Sequence, residues 1–133
     1  MIFSTRSSYG LRAMINLAKN QNQGSIALTQ IAEEEKISLK YLERLFAKLK
    51  QAGLLEAIKG ASGGYRLAKP AKLINIYDII IALEGRLSPF HCTGAKEKIY
   101  CGQNCDCGVT QVLSRVEAAL AKAMKAIKLS SLL

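Results

Sequence analysis

Every cysteine of the chain lies between residues 92 and 107, in the stretch CTGAKEKIYCGQNCDC. Four thiols so close in sequence, Cys92, Cys101, Cys105 and Cys107, can converge on one point in space, as disulfides or as a metal centre. The compartment bears on the choice. The first residues, MIFSTRSSYGLRAMINLAKN, lack the charged region, apolar core and small-residue cleavage site of a secretory signal. No uncharged apolar run approaches the roughly 20 residues that cross a bilayer. The chain is therefore expected in the cytoplasm with no membrane partner, where thiols stay reduced and structural disulfides are rare. Metal ligation is the favoured chemistry.

Thiolates are the usual ligands of iron-sulfur clusters, which typically take four protein ligands. Zinc binds thiolates too, but among these cysteines only Cys101 and Cys105 approach the paired spacing of common zinc sites. Zinc, and four reduced thiols holding nothing, are the alternatives to a cluster. His91, the one histidine, stands beside Cys92 and is a weaker candidate ligand, because a lone histidine more often packs or hydrogen-bonds.

The formal charge of +9 over 133 residues is concentrated: from Lys36 to Lys72 nine Lys or Arg face only Glu43 and Glu56, a surplus of +7. The remaining ten basic and eight acidic residues nearly cancel. A focused positive segment suits a polyanion, whereas scattered lysines would read as a solvated face.

Order within that segment decides. Leu42, Leu45, Phe46 and Leu49 recur at helical spacing and mark a buried stripe, with Lys40, Arg44 and Lys48 four apart on another face. Ser38 is a suitable N-cap and Gly53 a suitable stop. A preceding helix is expected from about Leu28 or Thr29 to Glu35, with Ile31 and Ala32 inward and Ile37 at the corner. Two short helices joined by so tight a turn form a helix-turn-helix. The second helix of such a unit enters the major groove with its N-terminal end foremost, which nominates Ser38, Lys40, Tyr41 and Arg44 for contact with double-stranded DNA.

After Gly53, two short apolar runs in LLEAIKGASGGYRLAK flank a glycine-bearing loop, the signature of a β-hairpin. With Lys59 at its tip and Arg66 on the return strand, the hairpin reads as the wing of a winged helix. Lys59 and the loop residues Ser62, Gly63 and Gly64 are candidates for phosphate or minor-groove contact. The expected fold is mainly α with a small β-hairpin wing.

These residues resemble the Rrf2 family of bacterial winged-helix transcriptional regulators, and within it the iron-sulfur branch typified by IscR. The resemblance runs nearly end to end, through SSYGLRAM, IAEEEKISLKYLERLFAKLKQAGLL, KGASGGYRLAKP, IALEG and IKLSSLL. It implies a homodimer paired through a long C-terminal helix, and a cysteine loop able to carry a [2Fe-2S] cluster. Cys92, Cys101 and Cys107 match the branch's three-cysteine pattern. The fourth ligand departs from it: Thr110 stands where the IscR branch has histidine, and Ser8 where the nitric-oxide-sensing branch has an acid. Cys105 is the local candidate for that place.

The rest of the chain accords with a dimeric regulator. Ser7 to Lys19 reads as an amphipathic helix with Leu11, Met14, Leu17 and Ala18 inward, and INIYDIIIALEG as a short helix ending at Gly85. From about Val109, the positions Val112, Leu113, Val116, Leu120, Ala123 and Ile127 mark a long helix with an apolar stripe. Alanines at 118, 119, 121, 123 and 126 would let two such helices approach closely, and two-fold pairing is the commonest way to cover such a face. The organisation expected is a winged helix-turn-helix over residues 1–85, a cysteine loop over 86–108, and a dimerisation helix with its C-terminal segment over 109–133.

An enzyme is not expected, since no C-x-x-C pair, histidine-carboxylate pair or phosphate-binding loop is present. The expected function is transcriptional control through cluster status, with genes such as those for cluster assembly as targets. A repressor answering to nitric oxide or redox state is the nearer alternative, and a small iron-sulfur electron carrier the remoter one.

Overall fold

The computed structural model describes residues 3–87 and 107–133. Within them the chain forms α1 (Thr5–Lys19), α2 (Leu28–Glu35), α3 (Leu39–Gln51), β1 (Leu55–Ile58), β2 (Gly64–Leu67), α4 (Ile76–Glu84) and α5 (Gly108–Ala126). This is a winged helix with a long C-terminal helix, as the periodicities lead one to expect.

α1 begins two residues before the expected Ser7, because Ser4 serves as its cap and accepts from the Arg6 backbone N–H at 3.2 Å. Met14, Leu17 and Ala18 are buried as expected. Leu11 is only half-buried: it lines an open apolar hollow of about 330 Å³ with Phe3, Ile76, Ile80 and Met124. Gly10 lets α1 lie close on α4, since a Cβ there would press into the Leu83 side chain.

The corner between α2 and α3 is closed by backbone bonds. Ile37 N–H donates to the Ala32 carbonyl at 3.0 Å and Lys36 N–H to Glu33 at 3.3 Å, with Lys36 itself left-handed at φ +55°. Ile37 is buried there, which fixes the angle between the helices. Ser38 Oγ accepts the Tyr41 N–H at 3.4 Å and starts α3, which turns Leu42, Leu45, Phe46 and Leu49 into the core. Gly53, at φ +73°, takes the left-handed turn that ends the helix.

β1 and β2 pair antiparallel, with Leu55 opposite Leu67 and Glu56 opposite Arg66. A third backbone segment joins them. Ile26 exchanges two hydrogen bonds with Tyr65, at 2.9 and 2.8 Å, so the root of the wing is sewn to the chain just ahead of α2. Phe46 meets Tyr65 edge-to-face at 5.0 Å and fastens the wing to α3.

α5 docks through its second half. Met124 is buried, and Leu120 and Ala121 pack against the core. The expected stripe does not continue to Ile127, because the helix stops at Ala126 and Ile127 is extended and 43% exposed. The chain then returns to the domain: Ile127 accepts from the Ile76 N–H at 3.0 Å, and Leu129, fully buried, donates to the Ile74 carbonyl at 2.8 Å. No helix among the described residues is long and apolar enough to cross a membrane.

Candidate nucleic-acid interface

The N-terminal end of α3 carries the residues nominated for DNA. Ser38, Lys40 and Arg44 are exposed on it, and among the described residues neither Lys40 nor Arg44 has an ion-pair partner. The four-residue spacing breaks down at Lys48. Its Nζ donates to the Leu83 carbonyl at 3.2 Å, near the C-terminal end of α4, where a cation also complements the helix dipole. Helical periodicity cannot distinguish Lys48 from Lys40 and Arg44, because its partner comes from a distant element.

Tyr41 lies on the flank of α3 that faces α1, half-buried, with its ring edge-to-face against Tyr9 at 6.0 Å and 86°. The Arg12 guanidinium stands 5.8 Å over the Tyr9 ring. Arg12 also pairs with the Glu35 carboxylate at 3.1 Å and donates to the Glu35 carbonyl, closing the end of α2. Next to this clasp the Asn16 amide donates to Glu34 at 2.8 Å and to Glu35 at 3.0 Å. The Asn16 bond, and then one from Gln30, holds the Glu34 carboxyl below its ordinary value.

On the wing, Lys59 is exposed without an ion-pair partner among the described residues, while Arg66 is engaged by Glu56 across the two strands at 2.9 Å. The Ser62 carbonyl accepts the Ser25 hydroxyl at 2.8 Å, so the loop is braced from the segment before α2. Gly63 and Gly64 answer to needs of the wing itself. A Cβ at Gly63 would collide with the Ile58 carbonyl, and one at Gly64 with the Ile26 carbonyl that bonds Tyr65. They bring backbone close to backbone within the protein, whatever the wing touches outside it.

Sequence reasoning missed the carboxylate that locks α1 to α4. Glu84 accepts from the Ser4 backbone N–H at 3.1 Å and from the hydroxyls of Ser4 and Ser7, and pairs with Arg6 at 3.0 Å. Burial would push its carboxyl up, but the Ser4 and Ser7 bonds and the Arg6 charge outweigh it and bring the group down to about 2. The signal available was an acid closing the apolar run IIIALE just before a glycine.

Of the cysteines, Cys107 is described: half-buried, it is the N-cap residue of α5, with Sγ 3.5 Å from Thr110 Oγ1. Cys92, Cys101, Cys105 and His91 lie outside the described residues. Among the described residues no group of three or more His, Cys, Asp or Glu is placed to hold a metal ion. Thr110 therefore stands one helical turn from a cysteine of the pattern, and Ser8 is exposed on α1.

Comparison with known proteins places this architecture. IscR of Cereibacter sphaeroides, an HTH-type transcriptional regulator, is 42% identical over 97 residues, which cover 71% of this chain and 62% of that protein. The structure of CymR, the global cysteine regulator of B. subtilis, is similar at a TM-score of 0.79 and 33% identity, covering 99% of this chain and 95% of that one. T. potens IscR is similar at 0.75 and 33%, covering 98% and 84%. The proteins so named are regulators rather than enzymes. Residues 3–133 also match the family described as Rrf2, iron-dependent transcriptional regulator. With its helix-turn-helix, hairpin wing and long C-terminal helix, the chain belongs to the Rrf2 family of transcriptional regulators.

Proposed function

We propose that the protein is a homodimeric, cytoplasmic regulator that binds double-stranded DNA through α3 and the wing, and that a [2Fe-2S] cluster on the cysteine segment governs its operator binding, as in the IscR branch, with cluster-assembly genes among its targets. The observation that carries the DNA reading is the contrast among the basic residues. Lys40, Arg44 and Lys59 are exposed without an ion pair among the described residues, while Arg66 and Lys48 are engaged within the protein. Ser38, Tyr41, Ser62, Gly63 and Gly64 complete the contacting surface.

Pairing of two copies is supported by α5, whose Val109, Val112 and Val116 are 62%, 59% and 41% exposed. Apolar side chains along one helix, next to alanines that permit close approach, suit a two-fold partner. Such pairing would set two α3 helices at the spacing of successive major grooves.

The donor set fits a cluster. Cys92, Cys101 and Cys107 would supply three thiolates, and Cys105 the fourth ligand that Thr110 and Ser8 do not provide as the two branches do. A cluster held there supplies an iron-sulfide centre whose gain, loss or oxidation is the chemical signal. The chain's own part is connectivity: the cysteine segment joins the winged helix to α5, so ligation biases how the two reading heads sit. Anaerobic purification tests this by absorption spectrum with iron and sulfide counts, followed by binding of apo and loaded protein to one operator. A coloured protein with different operator affinities is expected. A colourless protein with stoichiometric zinc overturns the cluster, and equal affinities overturn the switch.

The likeness to CymR, the global cysteine regulator of B. subtilis, solved from S. aureus also in an oxidized form, supports a second reading, in which this chain's own cysteines report redox state without a cluster; nitric oxide acting on a cluster is a variant of the first. Reversible thiol oxidation in an iron-free protein, accompanied by a change in DNA affinity, would select the second.

A further inference from the structure

We propose that Tyr9 is a positioning residue for DNA reading: edge-to-face contact with Tyr41 sets the attitude of that side chain on α3, and Arg12 holds Tyr9 in place. The inference rests on the DNA reading above and adds to it a specificity determinant on α1.

Two edge-to-face aromatic pairs bracket α3, and they differ in setting. Phe46 and Tyr65, 5.0 Å apart, join α3 to the wing, with Phe46 wholly buried; that pair is core packing. Tyr41 and Tyr9, 6.0 Å apart, are both half-buried and stand at the end of α3 that leads into the groove. Tyr41 is in the first turn, its backbone N–H taken by the Ser38 cap. Its main chain is therefore fixed, and its half-buried ring packs partly against the core, which leaves its outward tilt open. The Tyr9 ring removes that freedom on one side. An aromatic pair of this geometry contributes beyond its buried area, because the electron-poor edge of one ring meets the electron-rich face of the other.

Tyr9 is itself held. The Arg12 guanidinium lies 5.8 Å over its ring, a cation-π contact, and is kept there by the Glu35 carboxylate at 3.1 Å and by the Glu35 carbonyl. Glu35 is the last residue of α2, one residue ahead of the left-handed Lys36 that makes the corner. The path Glu35, Arg12, Tyr9, Tyr41 thus ties both helices of the reading unit to α1 at its DNA-facing end. Each link uses a planar group, so the constraint is one of orientation as well as distance.

The test uses the full chain and two probes: a duplex that the wild-type protein selects from a random-sequence pool, and a shuffled duplex of the same composition. Tyr9→Phe keeps the ring and should bind both as wild type does. Tyr9→Leu should lose roughly 2- to 12-fold on the selected duplex, the range to which one aromatic pair's interaction converts, with no change on the shuffled one. In a Tyr41→Leu background the same change should cost nothing further. Should Tyr9→Leu not fold, Arg12→Met carries the test, with a smaller loss confined to the selected duplex. Unchanged binding of the selected duplex, equal losses on both duplexes, or fully additive losses with Tyr41→Leu would overturn the proposal. Failure of the wild-type protein to select any duplex is a different result, and removes the DNA reading itself.

Discussion

The carboxylate of Glu84 accepts the Ser7 hydroxyl across 77 positions of sequence, and this bond fastens the start of α1 to the end of α4. With Ser4 and Arg6 it makes a closed cage, in which the Glu84 side chain retains 7% of its exposure. α1 carries Tyr9 and Arg12, so the cage anchors the helix on which the reading unit leans.

That arrangement predicts a pH dependence. The folded Glu84 titrates at about 2, below its ordinary 4.5. The charged form is therefore the one the fold stabilises, and its contribution is fully present above 4.5 and lost as pH falls towards 2. Glu84→Gln should cost about 2–3 kcal/mol at neutral pH. Thermal unfolding of both proteins between pH 7 and pH 2 should show the gap closing across that window. A gap that stays constant would mean that the charge contributes nothing.

The Ile26–Tyr65 bridge makes Gly64 indispensable to the wing. A Cβ at that position runs into the Ile26 carbonyl and the following peptide, which are backbone and have no rotamer by which to yield. Gly64→Ala should therefore lower stability by about 1–3 kcal/mol and loosen the wing. Hydrogen exchange at Tyr65 N–H, which donates to Ile26 at 2.8 Å, should accelerate more than exchange in α4.

Salt dependence separates the lysines. If Lys40, Arg44 and Lys59 contact phosphates, neutralising any one of them should weaken binding across sequences and reduce the slope of log K against log salt by about 0.9. Lys48→Met should instead leave the slope unaltered and cost about 1 kcal/mol of stability, through loss of the bond to the Leu83 carbonyl. Titration of duplex binding at several salt concentrations, beside thermal unfolding, checks both halves. A reduced slope for Lys48→Met would place that amine on DNA.

What was legible in the sequence was what neighbouring residues determine. The Ser38 cap, the stripe from Leu42 to Leu49 and the hairpin from Leu55 to Leu67 each lie within one short continuous stretch of chain. What was not legible depends on the meeting of distant segments: the bridge from Ile26 to Tyr65, the return of Leu129 to Ile74, the engagement of Lys48 by α4. Ile127 shows the same limit from the other side. Its spacing continues the α5 stripe, but its backbone is taken by Ile76, so it leaves the helix. In the candidate DNA surface the types were readable, whereas the division between free and engaged cations was not.

The fourth ligand of the proposed cluster can be identified by moving it. Replacing Cys92, Cys101 or Cys107 with Ala should each abolish the visible absorption and bound iron of anaerobically prepared protein, since each removes a thiolate of the proposed set. Cys105→Ala should do the same if Cys105 completes the coordination. Thr110 offers the complement: its hydroxyl lies 3.5 Å from Cys107 Sγ, on the first turn of α5, so a longer nitrogen donor at that position starts beside a thiol of the proposed set. Thr110→His in the Cys105→Ala background is accordingly expected to regain colour and iron, with a spectrum altered by the exchange of sulfur for nitrogen on one iron. Full cluster content in Cys105→Ala alone would assign the fourth place to another group, and colour in all four single variants would show that no one of these thiols is required to hold the iron.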